Sequence, residues 1–168
     1  MTTELVGSVF GKVNEQIDLL QKLVLFIPPE RLHWQPTQNT FRVCDLLGHL
    51  LEALAGFCAA LYATYPERLA HFLNLRGLPV NHCCGIQEAI ERIHQYAACI
   101  AQGSALLTDD DLSKVVPTVF TKNGEPMITI LLGNLEHLVS HKFQLYFYLR
   151  LLEVPVSSSD LYQFRADK

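Results

Sequence analysis

Two histidines in the last third of the chain, His137 and His141, are four residues apart. In a helix this spacing stacks both imidazoles on one side. A divalent metal takes nitrogen donors at ~2.0–2.1 Å, and such a pair supplies two of them without any backbone movement. Catalytic zinc sites usually use three protein ligands and keep one position open. The best third candidate is His49, in a separate helical segment, so the three histidines predict a divalent metal site.

A second interpretation of the histidines is a hydrogen-bonded polar seam. Seven histidines in 168 positions give roughly 0.3 pairs at this spacing by chance, so the pair alone does not decide the matter. Two hypotheses of different classes follow. One is a metalloenzyme, and the other is a non-catalytic bundle whose histidines only order the core or a dimer interface. The metal content of the purified protein separates the two hypotheses, because the metalloenzyme should contain stoichiometric metal and the non-catalytic bundle should not.

The histidine pair belongs to a stripe of neutral polar side chains, whereas a solvent-facing stripe normally carries Lys and Glu. The stripe consists of Asn134, His137, His141, Gln144 and Tyr148. Inward polar groups cost ~1–3 kcal/mol each if unsatisfied, so they need partners. Asn134, Gln144 and Tyr148 are therefore candidates for orienting ligands or contacting substrate. Glu52, one turn after His49, is a fourth candidate.

The spacing of apolar residues and prolines predicts the elements that hold these side chains. Four windows have helical periodicity and end near prolines, which cannot continue a helix. The windows run from the N-terminus to 27, from about 41 to 65, from about 85 to 107, and from 126 to 154. Gly48 inside the second window costs ~1 kcal/mol relative to Ala and predicts either tight packing or the approach of a ligand beside His49. The prediction is an all-α four-helix bundle.

The connection between the third and fourth helices has a different composition. Residues 114–121 are rich in β-branched side chains and are followed by Asn123-Gly124, a turn signal. We expect a short irregular or extended connection there. The length predicts a single domain over residues 1–155, followed by a C-terminal tail at 156–168.

Composition excludes several classes of function. Thirteen Lys+Arg against seventeen Asp+Glu give a net charge of −4, and no basic run resembles a nucleic-acid footprint. The most apolar uncharged stretch, residues 53–66, is too short for the ~20 residues that span a bilayer. We therefore expect no nucleic-acid partner and no membrane. Only 18% of residues are charged, against a usual ~25%, which indicates that some surface is buried in a second subunit.

The five cysteines do not form a regular disulfide framework. Their number is odd, and Cys83 and Cys84 are adjacent. No secretory signal is evident, so we expect a soluble, reduced, cytoplasmic protein. Cys44, Cys58 and Cys99 are predicted to be small buried hydrophobes on helices. The run from His82 to Cys84 is predicted to be loop packing or an adventitious binder.

Two stretches resemble the DinB/YfiT-like family of metal-binding enzymes. The first runs from Trp34 through Pro36 to a helix that carries His49. The second is Asn134-Leu-Glu-His137-Leu-Val-Ser-His141-Lys-Phe-Gln144-Leu, continuing through Tyr148. The order and spacing match along nearly the whole chain. Ser140 and Lys142-Phe143 depart from the family pattern, in which a histidine and an Arg-Gly often stand.

The resemblance implies a four-helix bundle with a three-histidine metal site formed by His49, His137 and His141. It implies zinc or nickel as the metal and often a homodimer. Characterised relatives include metal-dependent transferases and isomerases that use low-molecular-weight thiols. The resulting expectation is a metal-dependent transferase or hydrolase acting on a small-molecule substrate, with a low-molecular-weight thiol as candidate cosubstrate. Which substrate and which metal are left open.

Overall fold

Four long helices form the protein, as predicted. The structure is a computed structural model that describes residues 2–118 and 121–163. The helices are α1 (Glu4–Leu25), α2 (Val43–Thr64), α3 (Ile86–Ser104) and α4 (Met127–Leu151). Each lies inside its predicted window. The all-α four-helix bundle is confirmed.

The helices pack so that α2 is the central element. It contacts α3 on one side and α4 on the other, while α1 packs against the same two helices from the opposite corner. α2 is accordingly the most buried helix, with thirteen buried residues that include Leu47, Leu51 and Leu54. Burial of such side chains stabilises the fold by roughly 1.5–3 kcal/mol each. A core of this kind holds the facing surfaces of α2 and α4 in a fixed register.

The connection between α3 and α4 contains a short extended ladder. Strand β1 (Val115–Val116) pairs antiparallel with strand β2 (Glu125–Pro126). Gly124 adopts φ of +74°, a conformation that glycine tolerates, and its N–H donates to the Thr121 carbonyl. The predicted extended connection and its Asn123-Gly124 turn are therefore present; residues 119 and 120 lie outside the described part.

One helix has the length and hydropathy of a membrane span. In α2 the most apolar window has a mean hydropathy of 1.6, but 61% of it is buried inside the bundle. A core helix of a soluble protein has the same composition, because it is surrounded by other helices. The burial of α2 is that of a core helix.

The first part of the predicted tail packs against the bundle. Val156 and Leu161 are buried, and residues Ser158–Asp160 form one turn of 3₁₀ helix. Lys142 of α4 is also buried, and its Nζ donates to the Leu161 carbonyl at 2.7 Å. Burial lowers the pKa of Lys142 to about 8, with a partly opposing effect from Glu15. The first part of the tail thus covers a lysine of α4.

The loop before α3 corrects the prediction for two cysteines. Cys44, in the first turn of α2, forms a disulfide with Cys83. Cys44 is buried on α2, as predicted, but it is bonded to Cys83, so the expectation of a reduced protein was wrong for this pair. The physical reason is tertiary: the Cys84 N–H donates to the Cys44 carbonyl at 2.9 Å, which lays the loop along α2 and brings the two sulfurs together. Adjacent cysteines then face different ways, with Cys83 exposed and Cys84 buried.

Gly48 makes this approach of the loop possible. A Cβ at Gly48 would clash with the His82 backbone carbonyl. The Gly48 carbonyl also accepts a hydrogen bond from the Asn81 N–H at 3.0 Å. Tight packing beside His49 was one of the two alternatives predicted from this glycine, and the loop of residues 79–84 is what packs there.

Candidate metal centre

Facing surfaces of α2 and α4 bring three imidazoles together. His49 lies on the second turn of α2, and His137 and His141 lie one turn apart on α4. All three rings are half-buried. Neighbouring ring centroids are 4.4–4.9 Å apart. Residues 88 or more positions apart in sequence thus meet at one point.

The three Nε2 atoms converge. The Nε2 atom of His49 lies 3.1 Å from that of His141 and 3.0 Å from that of His137. Nitrogen ligands at ~2.0–2.1 Å from one ion, separated by the usual coordination angles, lie roughly 2.9–3.4 Å from each other. The spacing therefore fits three ligands on one face of a divalent ion.

Hydrogen bonds to the other ring nitrogens fix the tautomers. Nδ1 of His49 donates to Asn81 Oδ1 at 2.6 Å, and Nδ1 of His141 donates to Gln144 Oε1 at 2.9 Å. Each neutral ring then has a bare lone pair on Nε2. Two lone pairs facing each other at 3.1 Å repel unless a cation or a proton lies between them. The donor set thus fits a metal ion.

Burial keeps the α4 histidines neutral. Burial lowers the pKa of His137, and the nearby His141 and His49 rings lower it further. Burial also lowers the pKa of His141; the hydrogen bond to Gln144 opposes this and His49 adds to it. Both rings are deprotonated at neutral pH, the form that binds metal.

A chain of hydrogen bonds begins at Nδ1 of His141, the ring nitrogen opposite Nε2. Gln144 Nε2 donates to the Tyr148 hydroxyl at 2.9 Å, while its Oε1 accepts from His141. The buried Tyr148 ring packs edge-on against Trp34, with centroids 5.6 Å apart. Gln144 thus contacts the candidate ligand His141 directly, and Tyr148 is connected to His141 through Gln144. Both residues are among the polar candidates that the sequence predicted.

The other two candidates have different positions. Glu52 Oε2 lies 3.2 Å from Nδ1 of His49, so it shares that N–H with Asn81. Asn134 lies against Gly56 of α2, where a Cβ would come within 2.6 Å of its Oδ1. Asn134 therefore belongs to the contact between α2 and α4.

Two residues at the centre were missed by the sequence reasoning. Asn81 is the nearer partner of His49, and Phe41 stacks on the His49 ring with centroids 5.1 Å apart. Phe41 also meets the His141 ring edge-on at 6.1 Å. Both residues lie outside the helices, where no periodicity points toward the site. The only local signal is that Asn tolerates the positive φ of +55° found at position 81.

An open groove lies beside the imidazoles. It has a volume of about 580 Å³, and its walls include Phe41, Asp45, Asn81 and Gln144. Phe41, Asn81 and Gln144 also contact the histidine rings, so the groove adjoins the candidate metal centre. It is large enough to admit a small molecule.

The protein is a four-helix bundle with a three-imidazole cluster between its second and fourth helices. A scan against protein-family models finds no match, and a search of curated proteins finds none either. Among solved structures, the fold is similar to that of a DinB-like protein, YjoA, from Bacillus subtilis. The TM-score is 0.66 at 14% identity, covering 89% of this chain and 96% of that one. The likeness confirms the predicted DinB-like fold, and at this identity it concerns the fold alone.

Proposed function

We propose that the protein is a metal-dependent enzyme that transfers a low-molecular-weight thiol, or water, to an electrophilic small molecule. The observation that carries the proposal is the convergence of three Nε2 atoms beside an open groove whose lining residues contact their rings. His49, His137 and His141 would hold one divalent ion, zinc or nickel. When bound, such an ion lowers the pKa of a thiol or water that contacts it.

The chain's own residues would bind and orient the reactants. Asn81 and Gln144 keep the Nδ1 protons in place, so that the ligand lone pairs point to one side. Phe41 offers an apolar surface at the groove, 40% exposed, against which the carbon skeleton of a substrate can pack. Both hypothesised reactants, a thiol and an electrophile, are small enough for the groove.

We also propose that the protein acts in the cytoplasm as a homodimer. Low-molecular-weight thiols are abundant in that compartment. The surface of α4 carries half-exposed Leu132, Phe143 and Phe147, a stripe that a second copy would cover.

Metal content tests the proposal most directly. Purified protein is expected to contain about one zinc or nickel per chain by elemental analysis, and His137→Ala is expected to lose it. His94→Ala, which changes an exposed histidine on α3, is the matched control and should retain the metal. Stoichiometric metal in a variant lacking all three histidines would reject the assignment. Absence of metal, with no thermal shift on adding zinc or nickel, would favour the non-catalytic bundle.

Activity is tested after metal is found. Glutathione, bacillithiol and mycothiol are each offered with a panel of electrophiles, and conjugate formation is followed by mass spectrometry. We expect His137→Ala to abolish the conjugation that the wild-type protein catalyses, while His94→Ala leaves it unchanged. A protein that binds metal but conjugates none of these thiols would contradict thiol transfer.

A further inference from the structure

A second chemically active cluster lies one to two turns before His49. Cys44 Sγ and Cys83 Sγ are bonded to each other, and His33 Nδ1 lies 3.7 Å from the first and 3.9 Å from the second. Asp45 Oδ1 lies 3.9 Å from Cys44 Sγ, but its charge is engaged by Arg42 at 2.6 Å. None of these groups belongs to the three-histidine centre.

The two sulfurs differ in access. Cys44 is only 1% exposed, whereas Cys83 is exposed. An attacking thiolate must approach the disulfide in line, so it reaches Cys83 and expels Cys44. The expelled thiolate would lie in the first turn of the 22-residue helix α2, where the helix dipole favours negative charge. His33 Nδ1 lies 3.7 Å from this sulfur, within the reach of a hydrogen bond to it.

The disulfide also holds the loop that supports the metal centre. Asn81 is two residues before Cys83, and its side chain accepts the Nδ1 proton of His49 at 2.6 Å. Two backbone hydrogen bonds join this loop to α2, from the Asn81 N–H to the Gly48 carbonyl and from the Cys84 N–H to the Cys44 carbonyl. The Cys44–Cys83 bond adds a covalent cross-link between this loop and the helix that carries His49.

We propose that Cys44–Cys83 is a redox-active disulfide that exchanges with low-molecular-weight thiols and positions Asn81 against His49. A first thiolate attacks Cys83 Sγ, forming a mixed disulfide there and releasing Cys44 as a thiolate that takes a proton. A second thiol then attacks the external sulfur of the mixed disulfide. The protein gains two thiols, and two thiol molecules leave as one disulfide. Opening the bond frees the loop and weakens metal binding at His49.

Peptide mass spectrometry tests the exchange without any metal. In the full-length oxidised protein, kept in chelator, trypsin should give peptides 43–68 and 77–92 linked through Cys44 and Cys83, and glutathione should separate them. With oxidised glutathione, Cys44→Ser should form a mixed disulfide at Cys83 at least tenfold faster than Cys83→Ser forms one at Cys44. Cys99→Ser is the control that should retain the linked peptides. Unlinked peptides in the air-oxidised protein, or equal rates at the two sulfurs, would overturn the proposal.

Metal affinity tests the positioning role, which rests on the proposed metal centre. The Cys44→Ser/Cys83→Ser variant removes the disulfide without leaving thiolates that bind zinc themselves. Its zinc affinity should fall about tenfold relative to oxidised wild type, the usual effect of losing a partner of a metal-bound histidine. Asn81→Gly, which keeps the positive φ accessible, should cause a similar loss.

The combined variant distinguishes coupling from independent effects. If the disulfide acts through Asn81, the triple change should weaken zinc binding no more than Asn81→Gly alone. Additive losses, or full affinity without the disulfide, would overturn the positioning role. If neither the wild-type protein nor any variant binds zinc, the proposed metal centre is rejected. The peptide experiment then tests thiol–disulfide exchange at Cys44–Cys83 by itself.

Discussion

At the scale of single residues, the centre depends on hydrogen bonds that decide which way each imidazole offers its lone pair. Nδ1 of His49 and Nδ1 of His141 both donate to amide oxygens, from Asn81 and Gln144. An amide oxygen can only accept, so it holds the ring in the tautomer that frees Nε2. Asn81 and Gln144 thereby leave the Nε2 lone pairs of His49 and His141 free for the proposed ion.

Replacing one of these amides should weaken metal binding without unfolding the protein. Gln144→Leu removes the acceptor for His141, and we expect about a tenfold loss of zinc affinity by titration calorimetry. Asn134→Ala is the matched control, since it lies on the same stripe of α4 but packs against Gly56. Equal losses in the two variants would mean that helix packing, and not ring orientation, governs affinity.

At the scale of elements, a buried carboxylate fixes the turn between α3 and α4. Asp111 accepts hydrogen bonds from the Tyr65 hydroxyl at 2.7 Å and from both the Thr108 N–H and its hydroxyl, and it pairs with Lys114. Burial raises the pKa of Asp111, but the Lys114, Tyr65 and Thr108 bonds outweigh it and hold the pKa well below its usual range. The turn is thereby tied to the end of α2.

The lowered pKa predicts a pH-dependent contribution to stability. The folded protein binds a proton at the Asp111 carboxylate less tightly than the unfolded chain does. The stability that Asp111 contributes is therefore complete above the carboxyl's unfolded pKa, near 4, and declines as the pH falls toward its lower pKa in the folded state. Asp111→Asn should lower the free energy of unfolding by about 2 kcal/mol at pH 7, and the difference from wild type should shrink at pH 3. Thermal melts measure both. Asp110→Asn, an exposed neighbour, should melt like wild type; a difference that is constant with pH would contradict the argument.

At the scale of the whole molecule, the outer side of α4 remains uncovered. Leu132, Phe143 and Phe147 are 50%, 50% and 51% exposed at helical spacing. Exposed apolar residues in one contiguous stripe are typical of subunit interfaces. The low proportion of charged residues agrees with a covered surface of this kind.

The proposed dimer should depend on this stripe. Phe143→Glu/Phe147→Glu places two charges in the interface, so we expect the dimer to dissociate to monomers in analytical ultracentrifugation. Leu73→Glu, a similarly exposed residue in another turn, should leave the dimer intact. A monomeric wild-type protein at ~100 µM would contradict the interface, as would a dimer that survives both glutamates.

The sequence by itself determined the four helices and the bundle, because apolar periodicity and prolines act within a few residues. It also paired His137 with His141, since a helix fixes their relation locally, and it selected His49 as a candidate. Only the tertiary structure brought the three Nε2 atoms together and added Asn81, Phe41 and the Cys44–Cys83 bond. These contacts join a loop to a helix across long separations, where no local period constrains which residues meet.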